Sequence, residues 1–161
     1  MIELWFDDPE IQELQNEASQ YLPKYLMYSY RIEEKIEKID TTPYVDVNGN
    51  RYEKAYRFWT TSVYSDETEI LYDTYAINGK YEHFSAVVAP DSGMKNEDES
   101  KDTIIYIVGD GEVLFSTYIN KNTSPVSIEL DITGVSELKV GMRGGKRVRI
   151  LFAEAYLYEK Y

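Results

Sequence analysis

Apolar and polar residues alternate most cleanly at Val126, Ile128, Leu130 and Ile132, with Ser127, Glu129 and Asp131 between them. Successive side chains on a strand point to opposite faces, so this period of two predicts a strand with one buried face. Leu138, Val140 and Met142 continue the pattern, and Gly144-Gly145 turns it into a last strand over Arg147 to Glu159. Upstream, Tyr44, Val45 and Val47 run into Asn48-Gly49-Asn50, a hairpin-turn signal, with the returning strand over Arg51 to Thr60. Ile70 to Ile77 ends at Asn78-Gly79, Tyr81 to Ala89 follows, and Thr103 to Val108 pairs with Glu112 to Ile119 across Gly109-Asp110-Gly111. Roughly eight or nine short strands divided by turn residues predict a sandwich or jelly roll.

The first forty residues have a different rhythm. Asp7 and Asp8 precede Pro9 and Glu10, a helix-start signature. Ile11, Leu14, Ala18 and Tyr21 then recur at helical spacing. Ile32, Ile36 and Ile39 fit a second helical face after about residue 30, although Tyr28, Tyr30 and Ile32 alternate as on a strand. The expected fold class is therefore mainly β: a jelly-roll-like β-sandwich over residues 43–161, preceded by an α-helical N-terminal segment over 1–40. Trp5 and Phe6, with Ile11 and Leu14, would form the face by which that segment caps the sandwich, meets a partner helix or builds a homo-oligomer.

A chain of 161 residues with 43% hydrophobic content can form one domain with a real core. Its net charge of −12 argues against direct binding to nucleic acid or to an anionic membrane. The same charge suits plain solubility or contact with a basic protein surface. The absence of cysteine removes disulfide and thiolate chemistry. No apolar run approaches the ~18 residues of a membrane span. The start, MIELWFDDPE, lacks the basic and apolar regions of a signal peptide. The chain as written is thus expected in the cytoplasm, and outside the cell if it is a piece of a longer secreted protein. Sixteen tyrosines are the compositional outlier, suited to paving sheets, stacking on sugars or meeting proteins.

The stretch Gly79-Lys80-Tyr81-Glu82-His83-Phe84-Ser85-Ala86 is followed by Ile107-Val108-Gly109-Asp110-Gly111-Glu112-Val113-Leu114-Phe115. Val126 to Thr133, Gly134-Val135, Leu138-Lys139-Val140 and Ala153-Glu154-Ala155-Tyr156-Leu157 come after them in order. Together these segments, within about Pro43 to Tyr158, resemble the NPCBM family of carbohydrate-binding modules. The resemblance implies a non-catalytic β-sandwich that binds a glycan, with galactose-type sugars first. Sugar-binding relatives carry a glycine-rich segment leading to a histidine where this chain reads Lys54-Ala55-Tyr56-Arg57-Phe58-Trp59.

The candidate ligand-binding residues are Trp59 and Tyr56, whose rings would stack on a sugar, and Arg57, which would donate to its hydroxyls. Asp91 opens a polar loop that would form a wall. Core packing of Phe58 or Trp59 is the competing reading for that segment. Glu154 shares the phase of Val148, Ile150, Phe152, Tyr156 and Tyr158, so its carboxylate is expected to face the core and to be paired, protonated or metal-bound. In the jelly-roll modules resembled here a structural calcium often sits near the final strand, which makes Glu154 its candidate ligand; a bulge, a sheet edge or an arginine partner is the alternative. Beyond that calcium no cofactor is expected.

Asp91 to Glu99 fails as an EF-hand, because Gly93 and Lys95 occupy ligand positions, and reads as a solvated, mobile loop. Asp110 between two glycines reads as a turn residue. His83, the single histidine, reads as a surface or interface residue. Arg143, Lys146, Arg147 and Arg149 gather positive charge. No nucleophile elbow or paired acid and base marks an enzyme. The second functional reading is a cytoplasmic protein-interaction module, for example an acidic inhibitor from a phage or mobile element that covers a basic nucleic-acid-binding surface of a host protein.

Overall fold

The computed structural model describes residues 9–10, 22–39, 43–59, 69–95, 103–144 and 148–159. Thirteen strands follow in chain order among them. They are β1 (Lys24–Tyr25), β2 (Tyr30–Glu34), β3 (Glu37–Ile39), β4 (Tyr44–Val45), β5 (Arg51–Tyr52), β6 (Ala55–Trp59), β7 (Leu71–Ala76), β8 (His83–Pro90), β9 (Thr103–Gly109), β10 (Glu112–Ile119), β11 (Val126–Asp131), β12 (Glu137–Gly144) and β13 (Arg149–Tyr158).

One sheet has the order β11-β8-β13-β6-β3, with β1 also paired to β13; the facing sheet has the order β10-β9-β12-β7-β2. The chain passes repeatedly from one sheet to the other, as in sandwiches built from crossing connections. The inward side chains are those that the alternation marks: Phe84, Ile105, Ile107, Ile128, Leu138, Val140, Ile150 and Phe152 are fully buried. Phe58 lies parallel to Phe152 with centroids 5.2 Å apart at the middle of this core.

The turns fall where glycine and asparagine allow them. Asn78 and Gly79 adopt φ values of 57° and 70°, and Asp110 and Gly111 of 46° and 84°. Asp110 is a turn residue, as expected. Its carboxylate accepts the amides of Ser136 and Glu137 at 3.1 and 2.9 Å, tying the β9–β10 hairpin to the start of β12.

The helix expected after about residue 30 is absent. Residues 24–39 instead form β1, a 3-10 turn over Leu26–Tyr28, β2 and β3, and they join both sheets. Tertiary contacts override the apparent helical spacing: Ile36 is buried, but Ile32 is 51% exposed. The chain reverses between β2 and β3 around Asp73, which is fully buried on β7. Its Oδ1 accepts the amides of Lys35 and Ile36 at 2.9 and 3.0 Å, and Lys38 Nζ lies 2.6 Å from its Oδ2. Pro9 and Glu10 are helical. Trp5, Phe6, Ile11 and Leu14, and with them the assembly face, lie outside the described residues. Among the described residues no helix is long and apolar enough to cross a membrane.

Candidate ligand-binding site

Strand β6 separates the sequence-derived candidates. Its register against β13 sets Trp59 opposite Arg149, Phe58 opposite Ile150, Arg57 opposite Leu151 and Tyr56 opposite Phe152. Phe58 and Tyr56 therefore turn towards the core, and Arg57 and Trp59 share the outer face. Tyr56 is not part of one cluster with the other three candidates. Phe58 takes the core role that the sequence left open between it and Trp59.

On the outer face Arg57 Nε donates to Asp91 Oδ1 at 2.9 Å. Asp91 is buried, and its Oδ2 accepts the amide of Gly93 at 2.9 Å, capping a 3-10 turn over Ser92–Met94. The start of the acidic loop is thus anchored rather than solvated; residues 96–102 lie outside the described residues. The guanidinium of Arg149 sits 4.5 Å from the centroid of Trp59, a cation–π stack.

Beside this face the β4–β5 hairpin folds over β6. Buried Asp46 accepts four hydrogen bonds: from the amides of Asn48 and Asn50 at 2.8 and 3.0 Å, from Asn50 Nδ2 at 2.9 Å and from Tyr52 Oη at 2.8 Å. Burial pushes its carboxyl up, but these donors outweigh burial and hold it below the ordinary aspartate range. Burial and the adjoining Asp46 charge push the Tyr52 phenol well above its ordinary value.

At the opposite end of β6 lies a cleft that no sequence-derived candidate except Tyr56 marks. Tyr25, Tyr28, Tyr44, Glu53, Lys54, Ala55 and Tyr56 enclose about 210 Å3. Tyr28 stands edge-on to Tyr25 with centroids 5.2 Å apart and planes at 86°, and Tyr56 lies nearly parallel to Tyr25 at 6.4 Å. Lys54 Nζ sits 5.3 Å from the centroids of both Tyr25 and Tyr28. The available sequence signal was the run of tyrosines at 25, 28 and 30, which sequence alone does not bring beside Tyr44 and Tyr56.

Glu154 belongs to this end of the sheet. The pairing of β13 with β8 shifts register between Ala153 and Tyr156, and Glu154 adopts a φ of 51°. The expected inward carboxylate is corrected by this bulge. The inward phase passes from Ile150 and Phe152 to Ala155 and Leu157, leaving Glu154 half-buried. Its Oε1 accepts the amides of Glu53 and Lys54 at 2.9 and 3.1 Å, and its Oε2 accepts Tyr156 Oη at 3.1 Å. Burial and the Glu154 carboxylate push the Tyr156 phenol up to about 12. Among the described residues no three acidic or imidazole side chains converge for a metal ion.

Residues 47–150, well over half of the chain, match the family model NPCBM/NEW2 domain. The chain belongs to the NPCBM/NEW2 family. No curated protein sequence matches it. This NPCBM/NEW2 chain shares its fold with CBM51 carbohydrate-binding modules of Clostridium perfringens. One is the CBM51 of GH95 in complex with methyl-galactose, at 19% identity and a TM-score of 0.62, over 84% of this chain and 99% of that one. A second is the ZmpB structure that joins the M60 catalytic domain to CBM51-1 and CBM51-2, at 17% identity and 0.66, over 84% of this chain. A third is ZmpB CBM51-2 with its INT domain and GlcNAc, at 14% identity and 0.66, over 85% of this chain. The chain spans only 15% and 31% of these two ZmpB structures.

The remaining polar candidates of the NPCBM/NEW2 sandwich have structural partners. His83 Nε2 meets the Glu129 carboxylate across β8 and β11, and its ring lies 5.8 Å from that of Tyr158. Its side chain is 13% exposed and lies against these two residues on the outer face of the sheet. Of the positive group, Arg149 stacks on Trp59, and Lys146 and Arg147 lie outside the described residues.

Proposed function

We propose that the chain is a non-catalytic carbohydrate-binding module with a preference for galactose-type sugars, working outside the cell as part of a longer secreted protein. The observation that carries this reading is the family match over residues 47–150. It is supported by the whole-module likeness to a methyl-galactose-binding relative and by relatives that stand beside a catalytic domain. Three of the carboxylates beside the candidate residues support a binding role over catalysis. Asp46, Asp91 and Glu154 are each occupied by hydrogen-bond donors, which gives them structural work rather than a proton to transfer. At the outer face Arg57 and Asp91 hold each other and the Arg149 guanidinium covers the ring of Trp59, so of the sequence-derived aromatic candidates Tyr56 is the proposed sugar contact. The acidic-inhibitor reading draws no support from these relatives.

Titration calorimetry of the folded chain against methyl galactoside, methyl glucoside and N-acetylglucosamine tests the proposal. A saturable heat, largest for the galactoside, is expected. Nitrophenyl glycosides should be left intact. A flat response to every neutral sugar refutes the sugar-binding reading.

A further inference from the structure

We propose that the tyrosine cleft at the β1 end of β6 is a binding site for the terminal residue of a neutral glycan, a single hexopyranose ring. This inference rests on the sugar-binding reading above and adds where the sugar sits and which sugars are refused. Tyr25 and Tyr28 precede residue 47, where the family match begins. Most of the aromatic wall is therefore supplied by residues outside that match, and Tyr56 joins it from inside.

A hexopyranose presents a C–H face and a rim of hydroxyls that both donate and accept. The cleft presents the complement. Tyr28 is 68% exposed, yet its position is fixed: Leu26 and Met27 of the same 3-10 turn are buried in the core, and its ring abuts Tyr25. A ring held in place before binding loses little freedom when a ligand stacks on it. Lys54 brings ammonium donors to the mouth, and Glu53, exposed beside it, brings an acceptor.

The backbone of that polar wall is gripped by Glu154. Besides accepting the amides of Glu53 and Lys54, Glu154 donates its own amide to Lys54 O at 2.8 Å. A non-glycine residue at positive φ is strained, and such strain persists only where its surroundings over-determine it. Here three hydrogen bonds converge on the turn that forms the cleft's polar wall, an observation independent of the tyrosines.

The same geometry refuses other ligands. A cation is repelled by the Lys54 ammonium, which sits beside both rings while leaving Tyr28 68% exposed. An acidic sugar meets Glu53 and a chain of net charge −12. A volume of about 210 Å3 lies below that of a typical drug-sized pocket, about 300–1,000 Å3, and fits one ring at a chain end.

The test is an amide and indole NMR titration of the full chain with methyl galactoside, methyl glucoside and methyl glucuronide. The neutral glycosides are expected to move Tyr28, Glu53, Lys54 and Tyr56, leaving the Trp59 indole in place. Tyr28→Ala should weaken binding about tenfold, and Tyr28→Phe should retain it. Lys54→Gln, at an exposed position, should also weaken it, giving a second readout should Tyr28→Ala fail to fold. Neutral sugars that move Trp59 and bind Tyr28→Ala and Lys54→Gln like the unaltered chain would overturn the cleft and leave the sugar-binding reading standing. No response to either neutral glycoside from the folded chain would remove both. A glucuronide that binds as tightly as the neutral sugars would overturn the proposed ligand class.

Discussion

Asp46→Asn probes whether the β4–β5 hairpin is held by one buried charge. The substitution keeps an Oδ1 acceptor for the amides of Asn48 and Asn50, at neutral rather than charged strength. It replaces Oδ2, which accepts Asn50 Nδ2 at 2.9 Å and Tyr52 Oη at 2.8 Å, with an NH2 group. The Tyr52 hydroxyl can rotate to accept from that group, but the Asn50 amide then faces another donor. One charged hydrogen bond is lost outright and three are weakened. Losing a bond to a buried charge costs about 1.5–3 kcal/mol, so the net loss should be about 2–3 kcal/mol. For a chain of this size that lowers Tm by roughly 8 °C.

The pH dependence supplies a second check. Asp46 titrates below the ordinary aspartate range when folded. Its contribution is therefore complete above the unfolded value of about 3.9 and is lost as pH falls through the folded value. Calorimetric scans of both proteins at pH 7 and pH 3 should show a gap that is full at neutral pH and narrows in acid. A gap under about 0.5 kcal/mol at pH 7, or one that is constant with pH, would refute this account of the hairpin.

Asp73→Ala leaves the Lys38 ammonium buried with Glu34 and the Ile36 carbonyl as partners, and should cost about 3–5 kcal/mol by urea unfolding. Phe152→Ala removes the ring stacked on Phe58 in the core and should cost about 3–5 kcal/mol in the same assay. Glu154→Gln should weaken the grip on the Glu53-Lys54 turn, speeding amide hydrogen exchange at those two residues while the core strands keep their protection. Treatment with a calcium chelator should leave Tm unchanged, because both Glu154 oxygens already accept from donors; a fall in Tm that Glu154→Gln abolishes would return Glu154 to the role of metal ligand.

The strands were legible where local and tertiary demands agree. Ile128 alternates with exposed Ser127 and Glu129 because one face of β11 is covered and the other is wet, and that difference is written into residue type. The turns at Asn78-Gly79 and Asp110-Gly111 were legible because positive φ is tolerated by few residues. Residues 30–39 were misread because three isoleucines fell at helical spacing by coincidence. The feature that shapes them is Asp73, far along the chain, whose carboxylate caps the turn. At Glu154 the bulge, which the sequence left open as the alternative to an inward metal ligand, is what forms. A bulge adds one residue to a strand, and period-two counting carries the error to every residue beyond it. At the site, Trp59 and Arg57 were found because their types are conspicuous. The tyrosine cleft was not, since it exists only once β1 pairs with the end of β13.

That pairing sets Lys24 opposite Leu157 and Tyr25 opposite Tyr156. Among the described residues the first strand and the end of the last thus lie side by side, about 4.8 Å apart across one ladder. Where both strands run on into further chain, the two connections leave the sheet at one place, and the sandwich hangs between them like a bead on a loop. Tyr25 is also a wall of the cleft, so cargo held there would ride beside those connections, on a short lever arm, rather than at the far tip of the bead.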